Sequence, residues 1–80
     1  MRLDKFLKTS RIIKRRTVAK EACDRDRVSV NGRPAKAGTE VRVGDGIEVR
    51  FGQSVLRIRV LGLQESVRKE DAAYMYEVIG

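Results

Sequence analysis

Residues 1–32 read MRLDKFLKTSRIIKRRTVAKEACDRDRVSVNG, and this stretch decides the fold. Its large apolar side chains recur at the i, i+3 and i+4 spacing that is typical of one face of an amphipathic helix. These side chains are Leu3, Phe6 and Leu7. We therefore predict a first helix over residues 2–8, with Asp4 and Lys8 paired on its outer side.

A second helix is predicted over residues 17–25, after a basic connector that spans residues 9–16. At about 100° per residue, four small or apolar side chains share one of its faces. They are Val18, Ala19, Ala22 and Cys23. Thr17 is the predicted N-cap, although no acidic residue follows at the position that would complete a capping box. We interpret Cys23 as a small core residue rather than a reactive thiol.

Period-two patterns and turn signals follow the second helix. Asn31-Gly32 supplies the two positive-φ residues of a tight turn, directly after an alternating segment. The predicted strands are Val28–Val30, Val41–Val43, Ile47–Phe51 and Leu56–Val60, with turns at Gly44-Asp45-Gly46 and Gly52-Gln53. Helical spacing then returns near the C-terminus, at Ala72, Met75, Tyr76 and Ile79. It predicts a short C-terminal helix packed through Tyr76 and Ile79.

These elements predict an α+β fold, in which two N-terminal helices pack on a small, curved and mostly antiparallel sheet. A chain of 80 residues suffices for one domain with a modest core. We assign residues 1–64 to this domain and residues 65–80 to a C-terminal helical extension packed on it. No apolar run approaches the ~18 residues of a membrane span or the core of a signal peptide, so a cytoplasmic protein is expected.

Positive charge is concentrated in the first part of the chain. Residues 1–36 hold 12 Lys and Arg against 4 acidic residues, whereas residues 37–80 hold 6 against 7, and the net charge is +7. Solvating charge would be spread more evenly, so this segregation favours a protein that binds a polyanion. The basic part lacks the broad apolar face of a membrane-surface helix, which favours nucleic acid over membrane.

Nine basic side chains form the predicted RNA-binding surface. Those of the connector repel one another unless an anion lies across them, although a merely solvated run of charges is the alternative. Arg16 projects beside Lys20 along the border of the second helix, so it is the predicted centre of the surface. The nine residues are Arg2, Lys5, Lys8, Arg11, Lys14, Arg15, Arg16, Lys20 and Lys36.

Several kinds of site are excluded by the residues that the chain lacks. It has no histidine and one cysteine, so a His/Cys zinc site, a His-based catalytic triad and an internal disulfide are impossible within it. Gly44-Asp45-Gly46 lacks the Lys-Ser/Thr pair or the third glycine of a phosphate-binding loop. We therefore predict no metal, no cofactor and no catalytic residue.

Three other functions compete with RNA binding. An enzyme would need available carboxylates, but those of the chain lie beside arginines or in turns, as Asp4, Asp24, Asp26 and Asp45 do. A DNA-binding helix-turn-helix regulator would fit two short helices, yet the connector lacks a short glycine-containing turn and no dimerisation element is evident. A protein-interaction module without RNA is the third alternative, because the neutral second half could dock a partner.

Several segments of residues 1–51 match the RNA-binding domain named after ribosomal small-subunit protein four, the S-four domain, in order and spacing. They are Arg2–Asp4 (RLD), Ser10-Arg11 (SR), Arg15–Ala19 (RRTVA), Val28–Lys36 (VSVNGRPAK) and Val43–Asp45 (VGD). The chain thus resembles this family, which implies an alpha-L fold of two helices on a small curved sheet. It departs from the family at Asp26, where a glycine usually ends the second helix.

Within the family, the chain is similar to short stand-alone proteins of bacterial ribosome-associated quality control, through Lys69–Tyr76 (KEDAAYMY). It also resembles the related heat-shock ribosome-rescue proteins. The first resemblance implies a factor that binds large ribosomal subunits carrying stalled peptidyl-tRNA and contacts 23S rRNA and the tRNA. It further implies support for alanine tailing of the nascent chain by a partner factor of the RqcH type.

The resemblance also bears on individual residues and on assembly. The family's matching arginine lies on the RNA-facing edge, which implies an RNA contact for Arg16. A monomer without membrane contact is expected. The alternatives are rescue of stalled large subunits in the heat-shock manner and a generic module that binds structured RNA.

Overall fold

The structure is a computed structural model that describes residues 1–80 as two α-helices, a five-stranded sheet and a short 3-10 helix. Helix α1 is Leu3–Thr9 and helix α2 is Arg16–Asp24. The 3-10 helix, Lys69–Met75, directly precedes the last strand. The strands are β1 (Val28–Val30), β2 (Arg33–Pro34), β3 (Gly46–Phe51), β4 (Ser54–Val60) and β5 (Tyr76–Val78).

The sheet is antiparallel throughout, with the strand order β2-β1-β3-β4-β5. Alternation along the strands turns one set of side chains toward the helices. Ile47 and Ile58, which face each other across β3 and β4, are both buried in this way. Leu3, Phe6 and Leu7 of α1 pack into the same 15-residue core. The predicted α+β architecture is therefore confirmed.

The turn predicted at Asn31-Gly32 is confirmed as the two-residue loop between β1 and β2. Asn31 has a φ of 52° and Gly32 a φ of 82°, the two positive values that a type I′ hairpin turn requires. The Asn31 side chain also joins this turn to the start of β3. Its Oδ1 accepts the Gly46 amide at 2.9 Å, and its Nδ2 donates to Asp45 Oδ1 at 3.1 Å.

Helix α2 differs from its predicted bounds by one residue at each end. It begins at Arg16, with Arg15 as an N-cap that makes no side-chain hydrogen bond, so Thr17 lies inside the first turn and is not the cap. The helix is followed by Asp26 at a φ of 58°. A short polar side chain tolerates this left-handed conformation, so aspartate ends the helix where the family usually has glycine.

The buried face of α2 is narrower than predicted. Ala19 and Cys23 are fully buried, which confirms the interpretation of Cys23 as a core residue. Val18 is 48% exposed, so its predicted place in the core is wrong. In an α-helix, adjacent residues point about 100° apart, and the core contacts the side of α2 that carries Ala19, Ala22 and Cys23 but not Val18.

Residues 41–43 do not form the predicted strand. Val41 is buried and its amide donates to the Met1 carbonyl at 2.8 Å, but Val43 is 61% exposed. The segment thus contacts the N-terminal residues through Val41 but does not continue as a strand. It then turns at Gly44, whose φ is 95°, so the chain changes direction directly after Val43.

The C-terminal segment combines a short helix with a strand. The predicted helix is present as the 3-10 helix, in which Ala72 and Met75 are buried. Its continuation through Tyr76 and Ile79 is wrong, because residues 76–78 pair with β4 as the edge strand β5. Pairing satisfies backbone groups of β4 that would otherwise lie open at the sheet edge. The domain boundary drawn at residue 64 stays a prediction.

Candidate nucleic-acid interface

The connector between α1 and α2 is anchored by two buried side chains. The Ser10 hydroxyl donates to the Leu7 carbonyl at 3.3 Å, and the Ile13 amide donates to the same carbonyl at 3.0 Å. Ile13 belongs to the core. Because the anchors alternate with basic residues, the side chains of Arg11 and Lys14 remain exposed.

Asp4 holds two of the predicted RNA-binding arginines. Its side chain is buried, and its Oδ1 accepts Arg2 Nε at 3.2 Å and the Lys5 amide at 2.9 Å. Arg16 donates from Nε to Asp4 Oδ2 at 3.3 Å and from Nη2 to Oδ1 at 3.5 Å. The predicted pairing of Asp4 with Lys8 is therefore wrong, because Asp4 faces the α1–α2 junction rather than solvent.

The charge of Asp4 is maintained by its partners. Burial alone would raise the pKa of this carboxyl, since a charged group loses hydration. The hydrogen bonds and charge of Arg16, together with the Lys5 amide and Arg2, outweigh burial and hold the pKa of Asp4 below its ordinary value. Asp4 is thus an anion at neutral pH that fixes the position of both guanidinium groups.

Arg2 and Arg16 remain partly exposed although both are paired with Asp4. Their side chains are 53% and 48% exposed. Arg16 uses Nε and Nη2 on Asp4, which leaves Nη1 without a protein partner. A guanidinium fixed on one side can still fork to a phosphate or stack on a base with the other.

A second group of predicted residues lines a cleft at the end of α1. Lys8, Arg11 and Lys14 form one side of this cleft together with Thr9. The other side consists of residues 65–67, which come from the segment that leads into the 3-10 helix. Lys5 is paired with Glu65 at the rim of the cleft.

The nine predicted residues divide by their pairing. Arg2, Arg16, Lys5 and Lys36 each have a carboxylate partner. Lys36 lies apart from the others beyond the end of α2, where its Nζ is 3.1 Å from Asp26 Oδ1. The remaining five have no carboxylate within 4 Å, and all five lie in one stretch, as Lys8, Arg11, Lys14, Arg15 and Lys20.

Sequence reasoning missed the two acidic residues that organise this surface. Glu65 was given no part in the surface, and Asp4 was predicted to pair with Lys8 rather than with Arg2 and Arg16. Nothing local could reveal that Asp4 meets Arg16, 12 residues away, or that Glu65 meets Lys5, 60 residues away. No set of three His, Cys, Asp or Glu side chains comes together as a metal site in the structure, and none of its helices could cross a membrane.

The surface that results is suited to the backbone of a nucleic acid. Unpaired cations on a connector and on the helix that follows it offer separate phosphate contacts, while two arginines fixed by Asp4 offer planar donors. The sequence profile described as the S4 domain matches residues 1–47 of the chain. The chain belongs to this family. The predicted resemblance to the S-four domain is therefore confirmed.

Relatives of the chain carry a functional description in their names. It is 58% identical over 79 residues to the RQC P-site tRNA stabilizing factor of Streptococcus pneumoniae, covering 99% of this chain and 90% of that protein. The protein of the same name from Halalkalibacterium halodurans is 56% identical over 78 residues, covering 98% and 89%.

A solved structure shares the fold over almost the whole chain. Heat Shock Protein 15 of Vibrio cholerae superposes with a TM-score of 0.92 at 29% sequence identity, covering 99% of this chain and 81% of that one. That protein is trimeric in its crystal structure. The fold of that protein thus matches this chain over almost its whole length, including the segment beyond residue 47.

Proposed function

We propose that this S-four protein is an RNA-binding factor of ribosome-associated quality control, which binds large ribosomal subunits carrying stalled peptidyl-tRNA. It contacts 23S rRNA and the tRNA and supports the addition of alanine tails to the stalled chain by a partner factor of the RqcH type. The observation that carries this proposal is the row of five unpaired cations from Lys8 to Lys20 on the helical side of an S-four fold. The name shared by the relatives in S. pneumoniae and H. halodurans supports the cellular role.

The chemistry of the surface favours binding over catalysis. Its two organising carboxylates, Asp4 and Glu65, are each engaged by basic side chains. A general acid or base needs a pKa near neutrality, whereas the partners of these groups hold both pKa values below the ordinary range. We therefore assign no catalytic role to the chain, and its function rests on contacts with RNA.

The proposed surface consists of all nine predicted basic residues, with unequal parts. The five unpaired cations supply phosphate contacts, and Arg2 and Arg16 supply donors whose direction Asp4 fixes. Lys5 and Lys36 share their charge with Glu65 and Asp26, so we assign them the weakest contacts. Screening by these carboxylates reduces the attraction that either lysine exerts on a phosphate.

The protein is proposed to act as a cytoplasmic monomer. Its core is closed within one chain, since the helices and the sheet of a single copy bury the same 15 residues. The trimer of the V. cholerae protein shows that a related fold also assembles. Sedimentation equilibrium at the concentration used for binding distinguishes the two states, and a stable trimer would contradict the monomer.

Rescue of stalled large subunits in the heat-shock manner is the second candidate function. The close superposition on the V. cholerae Heat Shock Protein 15 favours it. A stalling reporter separates the two functions in cells that lack this protein. Loss of alanine tails from the reporter is expected under quality control, whereas tails that persist support the heat-shock alternative or a generic RNA-binding module.

Sucrose-gradient sedimentation of the tagged protein tests the proposal directly. We expect it to travel with large subunits that contain peptidyl-tRNA, and to leave them after nuclease treatment or at raised salt, because counterion release weakens phosphate contacts. Sedimentation at the top of the gradient, or with intact ribosomes only, would contradict the proposal. Association that survives nuclease digestion would support a protein-interaction module instead.

A further inference from the structure

The cleft at the end of α1 is built from two distant parts of the chain. Its seven lining residues include one that is apolar, Val67. Three basic residues, Lys8, Arg11 and Lys14, line it from α1 and the connector, and Ser66, whose side chain is exposed, lines it from the C-terminal segment. The S-four profile ends at residue 47, so this second wall lies outside the part of the chain that defines the family.

The electrostatics of the cleft favour an anion. None of its three cations has a carboxylate within 4 Å, and the one acidic lining residue, Glu65, is already paired with Lys5. The Lys5 ammonium also lowers the pKa of Glu65, so the pair persists at neutral pH. The charge of Glu65 is thus shared with Lys5, and Lys8, Arg11 and Lys14 have no carboxylate partner.

The backbone at Arg11 is held in an unusual conformation. Its φ is 63°, a left-handed value that is unfavourable for a residue with a Cβ. Such conformations persist where the surrounding structure fixes them, and they occur often at ligand-binding sites. Here the buried neighbours Ser10 and Ile13 fix the connector, and the conformation places Arg11 at the cleft beside Lys8 and Lys14.

The size of the cleft limits what it can hold. Its volume is about 120 Å³, well below the roughly 300–1,000 Å³ of sites that enclose small organic molecules. A nucleoside or a folded peptide segment therefore does not fit inside. A tetrahedral phosphate is a compact anion that accepts several charge-assisted hydrogen bonds at once, and three cations with one hydroxyl suit it.

We propose that this cleft binds a single phosphate of an RNA backbone, clamped between Lys8, Arg11 and Lys14 on one side and Ser66 on the other. The inference rests on the proposed function and adds the C-terminal segment to its binding site. The Ser66 hydroxyl donates to the phosphate, and the Lys5–Glu65 ion pair holds the segment in place. A free phosphate ion shares this chemistry, and the experiment below separates the two sources.

A matched pair of substitutions tests the clamp. Ser66→Asp puts a carboxylate into the cleft, and Ser54→Asp puts the same charge on β4; both serines are exposed. Affinity for purified large subunits is measured across a salt series, with thermal unfolding followed by circular dichroism. Because Ser66→Asp removes a hydroxyl donor and adds a carboxylate that repels the phosphate, we expect it to bind at least about ten-fold more weakly. Its salt slope should fall by about 1, while Ser54→Asp binds almost as wild type does.

A double-mutant cycle with Lys14→Ala sharpens the result. If Ser66 and Lys14 serve one phosphate, the double variant loses less than the two single losses combined, because the contact can be lost only once. Additive losses would overturn the clamp, and so would equal affinities of Ser66→Asp and Ser54→Asp. If wild type itself fails to bind large subunits, the proposed function fails, and the clamp that rests on it fails as well. Additive losses, or equal affinities of the two aspartate variants, in a wild type that does bind would overturn the clamp alone.

Nuclear magnetic resonance separates an RNA phosphate from a free ion. Amide shifts of residues 8–14 and 65–67 are followed in titrations with a short single-stranded RNA and with inorganic phosphate. We expect the RNA to shift both walls at concentrations where inorganic phosphate leaves them unchanged. Saturation by inorganic phosphate alone would overturn the RNA assignment, and shifts confined to residues 8–14 would overturn the role of Ser66.

Discussion

The connector and the outer face of the sheet both carry several arginines, but the two regions differ in whether those arginines are paired with carboxylates. On the sheet, Arg57 lies directly opposite Glu48 in the pairing of β3 with β4, and its Nε is 3.0 Å from Glu48 Oε2. Arg50 shares the same carboxylate at 3.6 Å. Between Lys8 and Lys20 the sequence contains no acidic residue. Arg16 pairs with Asp4, but no carboxylate lies within 4 Å of the other five cations, which are Lys8, Arg11, Lys14, Arg15 and Lys20.

The difference shows that composition alone does not make a binding surface. Cross-strand pairs of opposite charge stabilise a sheet by a few tenths of a kcal/mol, and they neutralise each other's field. Unpaired cations on a connector repel one another, which costs stability, and a polyanion relieves that repulsion. The charges of Arg50 and Arg57 are therefore shared with Glu48 within the sheet, whereas the unpaired connector cations are those that we propose for RNA.

Removal of three charges from each region gives the largest expected effect. We expect Arg11→Ala/Lys14→Ala/Arg15→Ala to weaken binding to large subunits roughly 100-fold at moderate salt and to lower the salt slope by about 2–3. Arg50→Ala/Arg57→Ala/Arg59→Ala removes the same charge from the sheet and should weaken binding only a few-fold. Filter binding across a salt series measures both, and equal losses would show that net charge alone determines affinity.

The buried carboxylate Asp4 and the partly exposed Glu48 provide a second contrast. We expect Asp4→Asn to lower the free energy of unfolding by about 2 kcal/mol at pH 7, because it removes the partner of two arginines in a buried site. The folded-state pKa of Asp4 is lowered, so this stabilisation is complete above the unfolded pKa of about 3.9 and is lost as pH falls through the folded value.

Urea unfolding of wild type and Asp4→Asn at pH 7 and in acid checks this prediction. The difference in stability should shrink once the wild-type carboxyl is protonated. Glu48→Gln is the control, because its carboxylate contacts solvent, and we expect it to destabilise less at either pH. A stability difference between wild type and Asp4→Asn that is the same at both pH values would contradict the charged anchor.

Arg16 and Arg15 are adjacent, yet one is paired and the other is not. Arg16→Ala should lower the free energy of unfolding by about 1 kcal/mol, discounted because the side chain is about half exposed, and should also weaken RNA binding. Arg15→Ala should weaken binding while leaving stability unchanged. Thermal unfolding and subunit binding of both variants test this, and unchanged stability in Arg16→Ala would show that Arg2 alone satisfies Asp4.

Release of a paired cation is expected to have the smallest effect. Asp26→Asn keeps a side chain that tolerates the left-handed conformation at this position, and it removes the partner of Lys36. We expect binding to tighten by about two-fold, which is the scale of an exposed ion pair. Asp71→Asn changes the net charge equally without releasing a cation. If the two variants bind equally well, the pairing of Lys36 has no bearing on RNA.

Local patterns predicted the fold where the physics is local. The i, i+3, i+4 spacing of Leu3, Phe6 and Leu7 placed α1, and Asn31-Gly32 placed the first hairpin turn, because each signal lies within a few residues of its effect. The same reasoning failed at Tyr76 and Ile79. Their spacing fits a helix, but the open edge of β4 decided that the segment became a strand.

The candidate site shows the same division. Charge segregation pointed to residues 1–36 as the basic part of the chain. Of the nine residues predicted there, five between Lys8 and Lys20 have no carboxylate partner in the structure, while Arg16 pairs with Asp4. The sequence does not show which of these cations are paired, because the pairing of Arg16 with Asp4 depends on how α2 packs against α1. The exposure of Val18 likewise depends on tertiary packing, because α2 turns Ala19, Ala22 and Cys23 toward the core and leaves Val18 outside it.

The sequence by itself therefore determined the periodicity of each helix, the position of the first turn, the side of the molecule that is basic and the family to which the chain belongs. The tertiary structure alone decided that Asp4 orients Arg2 and Arg16, that Glu65 reaches Lys5 to complete a cleft, and that the chain ends as an edge strand. Backbone propensity and charge density act between near neighbours along the chain. Ion pairs, clefts and sheet edges arise between residues that only folding brings together.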